Sequence, residues 1–486
     1  MRGQTLAVFL LISISPPLFA QGVADEPVKV GDVTISGWLR TRGEVWDWFP
    51  SSANSRYAFS ESIFRLAFTE SKESFDWKIE LGIPFLFALP NNAIAPTPQG
   101  QLGFGGNYFA NAHTTDTASV FPKQAYGRFK LGKGEVKQSL LLGRSEFFDG
   151  LEVIPLNPTL AAVKRDRIAQ RLIGNFGFSD IGRSFDGGVY AVGGSRTNLT
   201  LFASRPTRGV YQVDGWGEIN IALFYGALTR QVGGGHSSGE WRVFGLGYDD
   251  TRGNDLKIDN RPAAIRALDR QGINIATAGG HYIHALQTNA GTFDFLLWGA
   301  LQGGSWGVQA QRAYAYAAEA GWQMPVLSSV KPWLRGGYNY GSGDNNPNDA
   351  THGTFFQILP TARQYARFPF FNMMNNRDAF GELILRPSKA LTLRSDIHAL
   401  ALANRHDLWY SGGGAFQPWT FGYIGRPSNG QSGLATLYDI SVDYTLNQHF
   451  APAVYYGHAS GKLVIQDIYP QGRDANFGYV ELNYRF

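Results

Sequence analysis

The sequence contains no cysteine, which excludes disulfides, thiolate metal centres and thiol nucleophiles. Charge is scarce: Asp, Glu, Lys and Arg make up 17% of the 486 residues, below the roughly 25% usual for soluble domains. Long apolar runs are missing too. Beyond the N-terminal segment no stretch reaches the about 18 uninterrupted apolar residues that a membrane-spanning helix requires. With a mean hydropathy of −0.19, the chain fits neither a helical membrane protein nor a disordered one. No G-x-x-x-x-G-K-[ST] motif supplies a phosphate-binding loop, and no signature recurs at the spacing of about 40 residues expected of a propeller.

Aromatic residues, at 14%, and 59 glycines are abundant instead. They occur in segments that alternate apolar and polar side chains, the two-residue period of a strand. In "FDWKIELGI", Phe75, Trp77, Ile79, Leu81 and Ile83 share one face, while Asp76, Lys78 and Glu80 share the other. In the closing "FGYVELNYRF", Val480, Leu482, Tyr484 and Phe486 oppose Glu481, Asn483 and Arg485. A sandwich strand of a soluble protein can alternate in the same way, so the connections between segments decide the class.

Short turns fall at Ser71–Ser74, Leu131–Glu135, Gly194–Asn198, Thr288–Thr292, Arg386–Ala390 and Leu446–His449. Long connections rich in Gly, Asn, Pro and aromatics lie between them, at Pro84–Ala118, Phe147–Arg183, Ser342–Asp378 and Arg405–Gly433. Long structureless loops argue against a compact soluble domain. They suit an all-β transmembrane antiparallel barrel with short periplasmic turns and long extracellular loops. The alternating segments number about 18, with about 16 as the alternative count, and pairing the first with the last would leave no free edge. Trp46, Trp48, Phe49, Tyr338, Tyr340, Tyr455 and Tyr456 lie near segment ends, where interfacial girdles are expected. Residues 1–24 read as a secretory signal: Arg2, an apolar run from Leu6 to Ile14, and small residues for cleavage near 20–24. Residues 25–486 then form one outer-membrane domain. The aromatic C-terminus is similar to the signal read by the barrel assembly machinery.

If one face meets lipid, the charges on the other line the lumen. The alternation places inward Arg40, Arg42, Glu44, Glu61, Arg65, Asp76, Lys78, Glu80, Arg128 and Lys130. From later strands it adds Arg335, Glu382, Arg386, Arg394, Asp396, His398, Asp439, Asp443, Glu481 and Arg485. Some of these pair across strands and brace the wall; cations left unmatched select anions. Arginine holds carboxylates with two parallel hydrogen bonds. One long connection carries Lys164, Arg165, Arg167, Arg171 and Arg183, and another carries Arg363, Arg367 and Arg377 among aromatics. Such a mixture offers charge for carboxylates and flat faces for sugar rings; at the surface, the same arginines would bind lipopolysaccharide phosphates.

Asp344, Asn346 and Asp349 are a weak candidate for Ca²⁺, since their segment lacks the calcium-loop spacing. His398, and His458 with Ser460 nearby, give no convincing nucleophile set, so the chain is not expected to be an enzyme.

"GRSEFFDG", "RLIGNFGFSDIGRSFDGG" and above all "YNYGSGDNNPNDATHGTFFQILPTARQYA" resemble the alginate export family of outer-membrane proteins. The resemblance implies a monomeric barrel of eighteen strands with an arginine-lined constriction, through which an acidic polysaccharide leaves the cell, fed by periplasmic export proteins. It carries Arg144, Arg165, Arg167, Arg183, Arg363 and Arg367 forward as pore candidates, beside Arg40, Arg42, Arg65, Arg128, Arg335 and Arg394 from the alternation. No nucleic-acid partner is expected. Uptake of small carboxylates or sugars and a plugged surface-binding barrel are the alternatives.

Overall fold

The computed structural model describes residues 28–132, 134–252, 257–361 and 366–486; the segment expected to be a secretory signal and Arg363 lie outside these. Eighteen strands form the wall. In chain order they are β1 Val33–Asp47, β2 Arg56–Ser71, β3 Phe75–Phe87, β4 Phe121–Lys130, β5 Lys137–Ser145, β6 Phe185–Gly193, β7 Thr197–Pro206, β8 Ile221–Gly234 and β9 Ser237–Asp250. They continue as β10 Ile273–Thr288, β11 Gly291–Trp306, β12 Gln309–Gln323, β13 Trp333–Gly341, β14 Asn376–Leu385, β15 Leu391–Leu402, β16 Gly433–Tyr444, β17 Phe450–Gly461 and β18 Asp474–Arg485. Each pairs antiparallel with its sequence neighbours. β18 closes on β1 in the register Trp38↔Arg485 and Asp47↔Asn476, so every wall strand has two partners.

The alternation seen in the sequence becomes the two sides of the wall. Arg40, Arg42 and Glu44 are buried on the lumen side of β1, whereas Val45, between Glu44 and Trp46, is 61% exposed. Val243, Leu297, Leu301 and Val454 likewise present apolar surface outward. The outer face carries Tyr314 and Tyr316 of β12 beside Tyr338 and Tyr340 of β13, with Tyr316 and Tyr340 stacked at 5.1 Å between ring centroids. This is an interfacial belt.

Trp46, Trp48 and Phe49 are not part of such a belt. Trp46 follows Arg40, Arg42 and Glu44 on the inward register, and all three aromatics are buried among loop residues, with the Trp46 and Phe477 rings stacked at 4.1 Å. Tyr455 also faces inward and donates its hydroxyl to Asp439, while Tyr456 is outward and exposed.

The long connections fold back into the lumen. In the 146–184 connection, Asn157 caps a short helix, α1 (Pro158–Val163): its Oδ1 accepts from Thr159 N at 3.0 Å and Leu160 N at 3.2 Å, with Pro158 at the first helical position. Leu160 and Val163 pack into an apolar cluster with Trp298 and Ile283 of the wall. A π-helical turn, Lys164–Ile168, follows and ties the plug to the barrel by charge. Lys164 Nζ lies 2.6 Å from Glu240, and Arg167 Nε lies 2.8 Å from Glu319. A second cluster joins Trp46, Phe104, Phe368 and Phe477.

Candidate functional site

The plug leaves a cavity of about 130 Å³ against the wall of β1, β2, β17 and β18, roofed by residues 177–182. Its basic side chains are Arg40 and Arg42 of β1, Arg65 of β2, Lys123 of β4 and Arg367 of a long connection. Arg40 Nε donates to Asp180 Oδ1 at 2.8 Å, and its Nη1 to Gly177 O at 2.6 Å. Arg42 is held by Glu61 Oε1 at 2.6 Å and Glu481 Oε2 at 2.6 Å, with Glu44 at 3.2 Å. The rings of Phe178 and Tyr479 lie 4.4 and 4.7 Å from its guanidinium carbon. Arg65 forks onto Glu146, at 3.2 and 2.9 Å, and also bonds Glu80. Arg367 donates to Tyr479 Oη at 2.8 Å and approaches Asp443 at 3.5 Å.

Lys123 is a cation that the alternation did not reveal. A β-bulge where β4 meets β3 leaves it without a cross-strand partner, as Glu80 faces Gln124 and Leu81 faces Pro122. Both Lys123 and Gln124 therefore turn inward. Lys123 Nζ donates to the carbonyls of Ile181 and Arg183, at 2.9 and 3.1 Å.

Charge balance changes toward the periplasmic end. Asp166 lies between two arginines, 2.8 Å from Arg165 Nε and 3.3 Å from Arg394 Nη2. Burial pushes its carboxyl up, but Arg165, Arg394 and Arg386 together hold it well below the usual carboxylate range. Arg386 stacks over Trp333 at 5.3 Å, and Arg128 over Tyr126 at 5.7 Å. Neither has a carboxylate within ion-pair distance among the described residues. Deeper in, Arg335 shares Asp294, Glu319 and Glu382.

Arg183 has a different role. It donates to Gly174 O (3.1 Å), Leu359 O (3.0 Å), Pro360 O (3.1 Å) and Gly413 O (2.7 Å), joining three connections at one buried guanidinium. Burial lowers its pKa to about 10, since only neutral acceptors surround it.

The register turns two of the expected arginines away from the lumen. Arg144 lies on the outer face: its cross-strand partner is Asp186, next to the inward Ser145↔Phe185 pair. It forks onto that carboxylate at 2.7 Å through both Nε and Nη2 and reaches Trp216 O at 2.9 Å. Arg377 also points outward, between the buried Asn376 and Asp378, and bonds Leu402 O at 3.1 Å. The oxygens proposed for Ca²⁺ close turns instead: Asp344 Oδ1 accepts from Asn346 N, Asn346 Oδ1 from Asn348 N, and Asp349 Oδ1 from Thr351 N. Among the described residues no group of three acidic or histidine side chains converges as a metal site. His398 bonds Asp378 in the wall at 2.8 Å, and His458 bonds Asn476 at 2.9 Å.

The sequence profile of the alginate export family matches residues 103–466, well over half of the chain. The chain belongs to the alginate export family. No curated protein matches it in sequence. Among solved structures, this family member is similar to OccK9 (OpdG) of Pseudomonas aeruginosa, at 12% identity and a TM-score of 0.58 over 94% of this chain and 98% of that one. It is also similar to OccAB4 of Acinetobacter baumannii, at 9% identity and a TM-score of 0.55 over 95% and 99%. The outer membrane protein opdK of P. aeruginosa gives 8% identity and a TM-score of 0.55 over 94% and 99%. At such identities the likeness is one of fold. Family and fold make the alginate export family member an integral outer-membrane β-barrel porin, a channel architecture and not that of an enzyme.

Proposed function

We propose that this barrel passively conducts anionic saccharides, with a uronate polymer leaving the cell as its cargo. The observation that carries the reading is the periplasmic end of the lumen. There Arg165, Arg386 and Arg394 surround the loop carboxylate Asp166, with Arg394 also meeting Glu382 at 3.2 Å, and Arg128 stands opposite Asp76 across the β3–β4 pair; Arg128 and Arg386 stack on aromatic rings without a carboxylate at ion-pair distance among the described residues. A carboxylate arriving there finds donors that the protein has not already satisfied, with aromatic faces beside them. Further in, Arg40, Arg42 and Arg65 are matched by carboxylates, so an anion is passed along exchangeable pairs and not held by bare charge. Tight capture would stop conduction, whereas exchange permits it.

The test is block of single-channel current by uronate oligomers added on the periplasmic side. Block should be saturable and should weaken in Arg386→Glu and Arg128→Glu proteins. Absence of block, or block indifferent to both substitutions, would overturn the reading. A second reading, uptake of small sugar acids, is favoured by the narrow cavity of about 130 Å³ beneath the docked 177–182 segment. It predicts that monomers block and oligomers do not.

A further inference from the structure

A separate and larger cavity, about 760 Å³, opens where the 88–120 and 403–432 connections meet above β1. Its chemistry is unlike that of the lumen. Among the described residues no carboxylate lines it, and the one arginine that does, Arg426, is 1% exposed. That guanidinium is committed to neutral acceptors: Gln99 O at 2.8 Å and Ser411 Oγ at 2.9 Å, with Trp409 beneath it at 4.7 Å.

Three amide side chains face the cavity with acceptors to spare. Gln417, 2% exposed, donates Nε2 to Thr420 Oγ1 at 3.2 Å, while its Oε1 has no partner. Asn107 and Asn111 stand one turn apart on a second helix, α2 (Phe104–Ala112), so both present to one side. Each spends its Nδ2 on the carbonyl four residues earlier, Gly103 O at 3.0 Å and Asn107 O at 2.8 Å. Among the described residues, neither Oδ1 accepts a hydrogen bond. Gln417 Oε1 is buried without a donor, which is costly, whereas Asn107 and Asn111 are half-buried; acceptors grouped in this way repel a carboxylate while welcoming hydroxyl groups. Trp419, 58% exposed and with the Arg208 guanidinium 5.4 Å from its ring centroid, and Phe416 add flat aromatic faces.

We infer that this vestibule is a binding site for a neutral, pyranose-based saccharide. Hydroxyl groups of the sugar donate to Gln417, Asn107 and Asn111, and its C–H face lies on the Trp419 indole. A few convergent polar groups in an otherwise aromatic cavity are the usual form of a small-molecule site. This inference goes beyond the anion reading and does not depend on it, because no exchangeable ion pair takes part.

The experiment is calorimetric titration of the folded full chain in detergent with maltohexaose. Saturable binding is expected, unchanged between about 0.05 and 1 M salt because no charge is being screened. Trp419→Ala, at an exposed position that leaves the fold intact, and Gln417→Leu should each weaken it by about tenfold, while Arg128→Glu at the other end of the lumen should not. No saturable binding, binding that collapses with salt, tighter binding of a uronate hexamer than of maltohexaose, or full affinity in Trp419→Ala would each overturn the inference.

Discussion

At the scale of single residues, the lumen arginines divide by what they touch. Arg42 sits among Glu44, Glu61 and Glu481 with 2% of its side chain exposed, so its removal strands buried carboxylates. Arg42→Ala should destabilise the barrel by about 3–5 kcal/mol, read as a lower denaturant midpoint. Arg128, stacked on Tyr126, should tolerate Arg128→Glu with an unchanged midpoint and altered conduction. Asp180 adds a pH dependence. Burial, opposed by Arg40 and reinforced by Glu61, lifts its carboxyl to about 7. A pKa raised on folding contributes stability that is complete below the ordinary carboxylate value, near 4, and is lost as pH rises through 7. Amide-exchange protection of residues 174–182, corrected for intrinsic rates, should therefore be greater at pH 5 than at pH 8, and Asp180→Asn should flatten the difference. Protection that grew with pH would contradict this assignment.

At the scale of elements, the seam between β1 and β18 depends on a missing side chain. Gly37 and Phe486 exchange backbone hydrogen bonds at 3.1 and 3.0 Å, and the Phe486 ring occupies the place that a Cβ at Gly37 would take. Gly37→Val should displace that ring and cost about 1–3 kcal/mol, visible as a lower temperature for loss of the folded, heat-modifiable band. Strands such as β1, β3 and β18 were legible because one face is charged and the other apolar, whereas β7 and β8 turn Phe202, Leu223 and Tyr225 inward against the plug. The same period that put Arg40, Arg42 and Glu44 in the lumen also put Trp46 there, so its proximity to a strand end was the weaker guide. The motif that carries Arg144 says nothing of register; Leu142 and Leu140, two and four residues before it, already mark the outer face. Lys123 was hidden for the opposite reason, since a β-bulge shifts the period by one residue and leaves no plain mark in the local sequence.

At the scale of the whole molecule, the sequence showed that the loops are long and basic, but not where they go. Their docking depends on contacts between distant residues. Arg183 reaches Leu359 and Gly413, and Asp407 Oδ2 accepts from Asp344 N at 2.9 Å and Thr354 Oγ1 at 2.6 Å. Arg183→Met should loosen all three connections at once, raising channel noise and open conductance while the barrel stays folded. The result is a lumen with paired charges at its middle, Arg128 and Arg386 stacked on aromatic rings toward the periplasm, and an aromatic, amide-lined vestibule outside in which Arg426 is buried. The most direct test of that arrangement is the reversal potential of the purified protein in a planar bilayer under a KCl gradient. The account predicts a potential on the chloride side of zero that moves toward zero in the Arg128→Glu, Arg386→Glu double variant. A cation-selective wild type, or a potential that the double variant leaves in place, would contradict it.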